Sequence, residues 1–379
     1  MPSRLSSRLL LPLVRQTMLV ALMTCVSASF ADEPDGPDVP HKVESSFQQL
    51  VESVEPSHAW NATNLAEHRQ WQQRLEGVMK ELLGRMPERV PQQVKWVEKE
   101  RFDSFTRHKI YVQTEAAYWA PVYYFVPHDL ERPRPAIVCL HGHSGIWPYI
   151  GHAETDAERK RIEESELDYA VYLARQGYVT AAINVRGWNE TAGHQDSGIK
   201  HLPRSCTHVT MDSLLLGMTP QGLRCWDAMR VIDFLQSRTG EVQGEKIGVA
   251  GLSGGGTLAM YLPILDERVR FAMIAGAFST YRQSIYPIRH CICNCLPGVM
   301  QYAEMADVVG LYAPRPVLLI NGVDDRIFPI DGARQGYEQL KKMYTLLGHP
   351  ERIEADFFEG GHAWSNNKTL SFLEKHVAD

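Results

Sequence analysis

A serine in a glycine-rich pentapeptide is the residue of this chain best suited to covalent chemistry. The segment 251–255 reads GLSGG; it follows the apolar run KIGVA, which is typical of a buried strand, and precedes a helical pattern. Small residues on either side of Ser253 permit a sharp strand-to-helix turn that exposes the hydroxyl. We therefore predict that Ser253 is a nucleophile; a purely structural glycine-rich turn is the alternative.

A histidine and a carboxylate near the C-terminus fit the partners that such a serine needs. A hydroxyl becomes a good nucleophile when a histidine takes its proton, and a carboxylate holds that histidine in the correct tautomer. His362 follows the apolar run EADFF, and Asp325 lies in the loop after PVLLI. Adjacent Asp324 is the alternative acid, because neighbouring side chains point in different directions. We predict a triad of Ser253, Asp325 and His362.

The loop after the apolar run AIVCL is placed to stabilise an oxyanion. Acyl transfer puts negative charge on the former carbonyl oxygen, which requires preorganised N–H donors. We predict the backbone N–H groups of His143 and Gly254 as an oxyanion hole. His141, His143 and His152 could instead be metal ligands, but no acidic residue accompanies them in this loop. The prediction is therefore no metal and no cofactor.

A cysteine-rich run has an ambiguous pattern. Cys291, Cys293 and Cys295 alternate directly after His290, and such thiols could bind a soft metal. Zinc thiolate sites more often use a CxxC spacing, so a structured loop over the pocket, with buried or disulfide-bonded thiols, is the preferred interpretation. A disulfide bond between Cys206 and Cys225 is a further possibility.

Aromatic residues near these motifs are candidates for substrate contacts. Trp188 and Trp364 are predicted to bind substrate, with Trp147 and Tyr149 as further candidates, because such rings can stack on a sugar face. The alternative is that they fill the core. Arg186 is predicted to pair with a carboxylate and organise its loop.

The order of apolar runs predicts how these residues are positioned. Alternating patterns typical of antiparallel strands come first: VKWVEKERFDSF, HKIYVQTE and PVYYFVP. Continuous apolar runs typical of buried parallel strands follow: PAIVCLHG, YVTAAINVRG, KIGVAGLS, VRFAMIAG, PRPVLLING and IEADFFEGG. Helical patterns separate them at 157–176, 221–237, 254–262, 332–347 and 365–376. This alternation predicts an α/β fold with a mostly parallel central sheet wrapped by helices.

The N-terminal part of the chain predicts export and a helical extension. Residues 1–31 resemble a signal peptide, since arginines precede a short apolar run and small residues follow it. An uncleaved membrane anchor and a lipidated Cys25 are the alternatives. Residues 32–95 are predicted to be an acidic leader and an N-terminal helical extension, and residues 96–379 a catalytic domain. The mature protein is expected to be periplasmic or secreted and to leave the membrane after cleavage.

The overall composition restricts the classes of partner. The chain has 379 residues, of which 44% are hydrophobic, and a formal net charge of -6. This length supports a full core, and the charge provides no basic field for nucleic acid or an anionic membrane. A small-molecule or carbohydrate ester is the expected partner; the oligomeric state stays open.

Several longer motifs resemble a known family. RGWNET, LSGGGTLAMYLPILDERV, HCICNCLPG, YAEMADVVGLYAPRPVLLINGVDDRIFP and FFEGGHAW, together with the motifs above, resemble the acetylxylan esterase and dienelactone hydrolase-like branch of the α/β-hydrolases from about Glu98 onward. The resemblance implies an α/β-hydrolase fold and ester hydrolysis, with carbohydrate deacetylation recurring. Dienelactone hydrolases carry cysteine at the position of Ser253, and acetylxylan esterases of the best-known branch carry glutamine at those of Gly254 and Trp188. The resemblance therefore does not specify the substrate.

A serine hydrolase acting on carboxylic esters is the function that these residues predict. A peptidase of the prolyl-oligopeptidase type shares the motif order, but residues 32–95 are too few and too helical for a propeller domain. A noncatalytic metal-binding protein with the cysteine run as its working site is a second alternative.

Overall fold

The computed structural model describes residues 42–128, 130–193 and 204–377. The predicted signal peptide, and the leader up to residue 41, lie outside this part of the chain. The chain divides into two compact units, residues 1–52 and 53–379. Helix α1 (Val43–Ser53) begins in the first unit, and none of its side chains is buried. All features below belong to the second unit.

Nine strands form a single mixed sheet. Counted in chain order, the first strand pairs with the second, the second with the third and the third with the fifth in antiparallel orientation, whereas every other neighbouring pair is parallel. The spatial order is β1-β2-β3-β5-β4-β6-β7-β8-β9. The strands are β1 (Val94–Arg101), β2 (Phe105–Glu115), β3 (Tyr118–Pro127), β4 (Arg134–Leu140), β5 (Val179–Ile183), β6 (Val242–Leu252), β7 (Val269–Ala275), β8 (Val317–Gly322) and β9 (Ile353–Phe358).

Helices connect the parallel strands and cover the sheet. They are α2 (Leu65–Leu83), α3 (Asp156–Glu164), α4 (Tyr169–Arg175), α5 (Cys206–Leu215), α6 (Pro220–Ser237), α7 (Gly254–Leu265), α8 (Met305–Gly310), α9 (Ile330–Leu346) and α10 (Thr369–His376). Strands β5 and β8 are buried along their whole length, as expected for strands covered on both faces. The predicted α/β class and mostly parallel sheet are thus confirmed. Within the residues described here, no helix is both long and apolar enough to cross a membrane.

Helix α2 belongs to the same unit as the sheet. The side chain of Asn64 accepts hydrogen bonds from the N–H groups of Ala66 and Glu67, which satisfies two donors at the first turn of the helix. Trp71, Leu75, Met79 and Leu83 form its buried face and join the hydrophobic cluster that also contains residues of α6 and α7. Residues 53–95 therefore belong to the compact unit that contains the sheet, and the boundary between residues 95 and 96 stays a prediction.

The helix predicted over residues 157–176 is two helices, because tertiary contacts break it. Glu166 adopts a positive φ of 47° between α3 and α4. The carbonyl of Ser165 accepts a hydrogen bond from the N–H of Trp364 (3.1 Å), and the Glu166 carboxylate accepts one from the N–H of Asn366 (2.6 Å). The break therefore anchors the loop that follows β9. A sequence pattern alone does not contain this long-range contact.

Candidate active site

Ser253 sits at the turn between β6 and α7. Its backbone angles, φ 61° and ψ -122°, are unfavourable for a residue with a side chain, and such strain is commonly retained at functional sites. The turn is tight: a Cβ at Gly255 would lie 1.7 Å from the Leu140 carbonyl oxygen, and one at Gly251 would lie 2.1 Å from the Gly255 oxygen. Glycine is thus required at both positions, and the structure has the strand, turn and helix that the sequence predicts.

His362 and Asp325 form a hydrogen-bonded pair. The Nδ1 atom of His362 lies 2.7 Å from Oδ2 of Asp325. The other carboxylate oxygen, Oδ1, accepts hydrogen bonds from the backbone N–H groups of Ile327 (2.9 Å) and Phe328 (3.1 Å). The Phe328 ring also stacks on the imidazole at 6.0 Å. The carboxylate is therefore fixed on both sides, and the imidazole is oriented by it.

The alternative acid, Asp324, has a different environment. Asp324 is exposed, and its backbone N–H donates to the Gly360 carbonyl oxygen at 2.9 Å. Asp325, in contrast, is 4% exposed. The geometry thus pairs His362 with Asp325, the acid preferred from the sequence.

A cavity of about 610 Å³ contains Ser253 and His362 in its lining. This volume is within the range of small-molecule sites. Its lining also contains His143, Tyr149 and the short segment from Arg289 to Ile292. The cationic residues are spread around it: Arg161, Arg204 and Arg289 all contribute, and no Asp or Glu belongs to the lining among the described residues. The cavity thus has a positive character, which no local sequence motif indicates because its arginines come from separate segments.

The loop after β4 lies directly against the serine. A Cβ at Gly142 would lie 2.9 Å from the Cβ of Ser253, and one at Gly254 would lie 2.7 Å from Cε1 of His143. The structure thus brings the two residues predicted for the oxyanion hole, His143 and Gly254, next to the serine.

His141 holds this loop in place. Its Nε2 accepts a hydrogen bond from the Val185 N–H (2.9 Å), so its Nδ1 donates to the Gly142 carbonyl oxygen (2.8 Å). Burial lowers the pKa of His141 to about 4, so the ring is neutral at physiological pH. His141 therefore joins the loop to the segment after β5.

The two tryptophans predicted to bind substrate are buried. Trp188 is 2% exposed and packs edge-on against His143 at 5.4 Å. Trp364 is 1% exposed and stacks on Tyr169 at 4.2 Å. Neither ring belongs to the lining of the cavity. This placement corrects the sequence-based prediction, because both rings pack behind the loops of the site. The residue type alone does not distinguish a buried tryptophan from one that stacks on a sugar.

Arg186 pairs with two carboxylates. Its guanidinium contacts Asp227 through Nε (3.0 Å) and Nη2 (2.7 Å), and it also contacts Glu115. The guanidinium lies 4.0 Å from the centre of the Tyr118 ring. These contacts join the segment after β5 to β2 and α6, which is the organising role that the sequence suggested.

The cysteines are arranged differently from the pairing considered above. Cys206 and Cys225 are both free thiols. Cys225 faces the Leu258 carbonyl oxygen, whereas Cys206 lies in a group with His143, Cys291 and Cys293. The histidine beside the cysteine run in space is therefore His143. His290, its neighbour in sequence, instead lies 3.2 Å from the Ser284 hydroxyl.

The Asp325 carboxylate is expected to make stability depend on pH. Burial raises its pKa, but the hydrogen bond and the charge interaction with His362, together with hydrogen bonds from the Ile327 and Phe328 N–H groups, outweigh burial, so the net pKa lies below the usual 3.8. A carboxylate with a lowered pKa stabilises the folded state above its unfolded pKa, and this contribution is lost as the pH falls through the folded value.

We therefore expect Asp325→Asn to lower the free energy of unfolding relative to wild type at pH 6, and this difference to shrink below pH of about 4. Urea denaturation of both proteins at several pH values measures it. A difference that stays constant down to pH of about 3 would contradict the lowered pKa.

Comparisons with known proteins agree with this fold. A strand-turn-helix serine in a mostly parallel sheet defines an α/β-hydrolase, and the chain belongs to the Abhydrolase family, whose model matches residues 41–370. A relative from Bacillus subtilis (strain 168), named "Putative hydrolase YtaP", is 25% identical over 300 residues, covering 78% of this chain and 96% of the relative.

Two solved structures show the same fold. One is described as a "putative acetyl xylan esterase" from Bacteroides fragilis NCTC 9343, with a TM-score of 0.71, 17% identity and coverage of 89% of this chain and 90% of the other. The second is a glucuronoyl esterase from Solibacter usitatus, with a TM-score of 0.59, 15% identity and coverage of 83% and 94%. The predicted resemblance to the α/β-hydrolases is thus confirmed.

Proposed function

We propose that this protein hydrolyses carboxylic esters through an acyl-enzyme on Ser253. The observation that carries the proposal is the 2.7 Å hydrogen bond between His362 and Asp325, in a cavity whose lining contains both His362 and the strained Ser253. An oriented base next to a serine on a strand-to-helix turn is the arrangement that activates a hydroxyl.

The reaction proceeds in two halves. Ser253 Oγ attacks the ester carbonyl carbon while its proton passes to Nε2 of His362, and Asp325 stabilises the resulting imidazolium. The bond to the alcohol oxygen breaks as His362 returns the proton to it. Water then attacks the acyl group, transferring a proton to His362, and the Ser253 oxygen takes that proton as the carboxylic acid leaves. The N–H groups of His143 and Gly254 stabilise the oxyanion in both halves.

Carbohydrate esters are the substrate class that we propose. The two solved structures above carry names of esterases that act on carbohydrate esters. The cavity is large enough for a sugar unit, and its arginines favour neutral or anionic groups over cationic ones. Before β1, the described residues hold two helices, which offers no support for a peptidase with a propeller domain.

A panel of esters tests the substrate class. We expect turnover of p-nitrophenyl acetate at least about tenfold faster than of the octanoate, and release of acetate from acetylated xylan. The Ser253→Ala variant serves as the control for spontaneous hydrolysis. Turnover confined to long acyl chains, with no acetate released from the polysaccharide, would contradict carbohydrate deacetylation. Turnover of a proline anilide without turnover of any ester would contradict the esterase proposal itself.

A further inference from the structure

Four potential metal ligands converge beside the cavity. The Nδ1 or Nε2 atom of His143 and the Sγ atoms of Cys206, Cys291 and Cys293 all lie within 4.8 Å of one another. They come from three separate segments: the loop after β4, the first residue of α5, and the loop between β7 and α8. The reaction proposed for Ser253 uses none of these three thiols and does not use the imidazole of His143.

Two distances within this group are close to those between ligand atoms around a tetrahedral ion. The Sγ atoms of Cys291 and Cys293 are 3.3 Å apart, and Nε2 of His143 is 3.3 Å from Cys293 Sγ. Zinc bonds of about 2.3 Å to sulfur and about 2.0 Å to nitrogen place ligand atoms roughly 3.5–3.8 Å apart. For all four atoms to bind one ion, the two pairs at 3.3 Å would separate by a few tenths of an ångström, and any pair near the 4.8 Å limit would approach by about 1 Å.

The surroundings supply a compensating charge. Three thiolates and one divalent ion have a net charge of -1, which is costly to bury without a partner. Arg224 is 6% exposed, and its Nη2 lies 3.5 Å from Cys206 Sγ. Its Nε donates to the Arg186 carbonyl oxygen at 3.1 Å, which fixes the guanidinium in this position. A buried guanidinium beside a thiolate sulfur compensates the negative charge of a metal–thiolate centre.

We propose that His143, Cys206, Cys291 and Cys293 bind a zinc ion. Sulfur and imidazole ligands favour zinc over hard cations such as calcium or magnesium. Since all four positions are taken by protein atoms, the ion is structural and has no open position for substrate or water. This site departs from the sequence-based expectation of no metal, which rested on the CxC spacing and on the loop of His143 viewed in isolation.

The ion would join two parts of the cavity lining. His143 and Cys291 both line the cavity, and Cys293 lies in the turn Ile292–Asn294 on the same side. Zinc would fix the side chain of His143 and with it the backbone N–H assigned to the oxyanion hole; this consequence, unlike metal binding itself, rests on the proposed function. Loss of zinc is then expected to lower kcat more than it changes KM.

Metal analysis of the full-length protein, purified without chelators, tests the site. We expect about one zinc per chain in wild type, and less than about a tenth of that in Cys293→Ser. Cys295→Ser is the matched control, because Cys295 is exposed and lies outside the group, so its zinc content is expected to equal that of wild type. Wild-type protein without zinc, or equal zinc in both variants, would overturn the proposal.

Two further measurements keep the test decisive if Cys293→Ser folds poorly. Cobalt-loaded wild type is expected to show the intense visible absorption of a tetrahedral thiolate site, and Cys291→Ser, at a half-buried position, is expected to weaken it. Thiol titration of the denatured wild type separates zinc from disulfide chemistry, since zinc-bound cysteines titrate without reductant. If Cys206, Cys291 or Cys293 is instead found in a disulfide, the metal proposal fails.

The test is independent of the esterase assignment. A fluorophosphonate reports on Ser253, whereas metal content and cobalt absorption report on the four ligands. Labelled protein without zinc would overturn the metal site alone, and zinc-loaded protein without labelling would overturn the esterase alone.

Discussion

The Ser253→Ala variant is expected to lose ester hydrolysis by about 10⁴- to 10⁶-fold in kcat, with the fold intact. In the proposed mechanism the Ser253 oxygen forms the acyl-enzyme, and alanine has no atom that could take this role. Alanine keeps the Cβ that already fits the turn, so the strained backbone with φ 61° is accommodated as in wild type. Steady-state turnover of p-nitrophenyl acetate measures the loss, and circular dichroism with thermal unfolding checks the fold.

Ser144→Ala is the matched control for this variant. Ser144 also lines the cavity, and its hydroxyl accepts a hydrogen bond from Arg161 at 2.6 Å. We expect its activity to change by less than about tenfold, because one hydrogen bond is worth about 1 kcal/mol. If Ser253→Ala retains wild-type turnover, or if both variants lose activity equally, Ser253 is not the nucleophile.

The Asp325→Asn variant is expected to lose about 10⁴-fold in kcat. The Oδ1 atom accepts from the Ile327 and Phe328 N–H groups, so the asparagine oxygen is expected to remain on that side. Its NH₂ group then faces Nδ1 of His362 at the position of the present 2.7 Å contact. Nδ1 must accept this bond, so the proton moves to Nε2, and His362 can no longer remove a proton from the serine.

Asp324→Asn carries the same chemical change one residue away. Asp324 is exposed, so the variant is expected to keep activity within about threefold of wild type. Measuring kcat for both variants on the same ester compares the two acids directly. A large loss in Asp324→Asn with little change in Asp325→Asn would reverse the assignment of the acid.

The central parts of the fold and site could be predicted from the sequence because their signals are local. The buried parallel strands are continuous apolar runs, and Ser253 sits in a pentapeptide whose glycines are required by contacts at 1.7 and 2.1 Å. The loop containing Asp325 and the one containing His362 each follow such a strand. Since parallel strands present their carboxyl ends at one edge, their loops meet there.

The features that the sequence did not reveal depend on contacts between distant segments. Trp188 and Trp364 have the ring types of a sugar platform, but their burial is decided by packing against His143 and Tyr169. The group of potential zinc ligands likewise combines His143 and Cys206 with a cysteine run far along the chain. Only Cys291 and Cys293 are neighbours in sequence, and their spacing alone favoured a structural loop.

The most direct test of Ser253 as the nucleophile is covalent labelling of the wild-type protein with a fluorophosphonate, followed by peptide mapping. We expect one adduct per chain, on Ser253, formed with loss of esterase activity in proportion to labelling. We also expect Asp325→Asn to label much more slowly, because its His362 cannot act as the base. Labelling on another serine, or full inactivation with Ser253 unmodified, would contradict the assignment of Ser253 as the nucleophile.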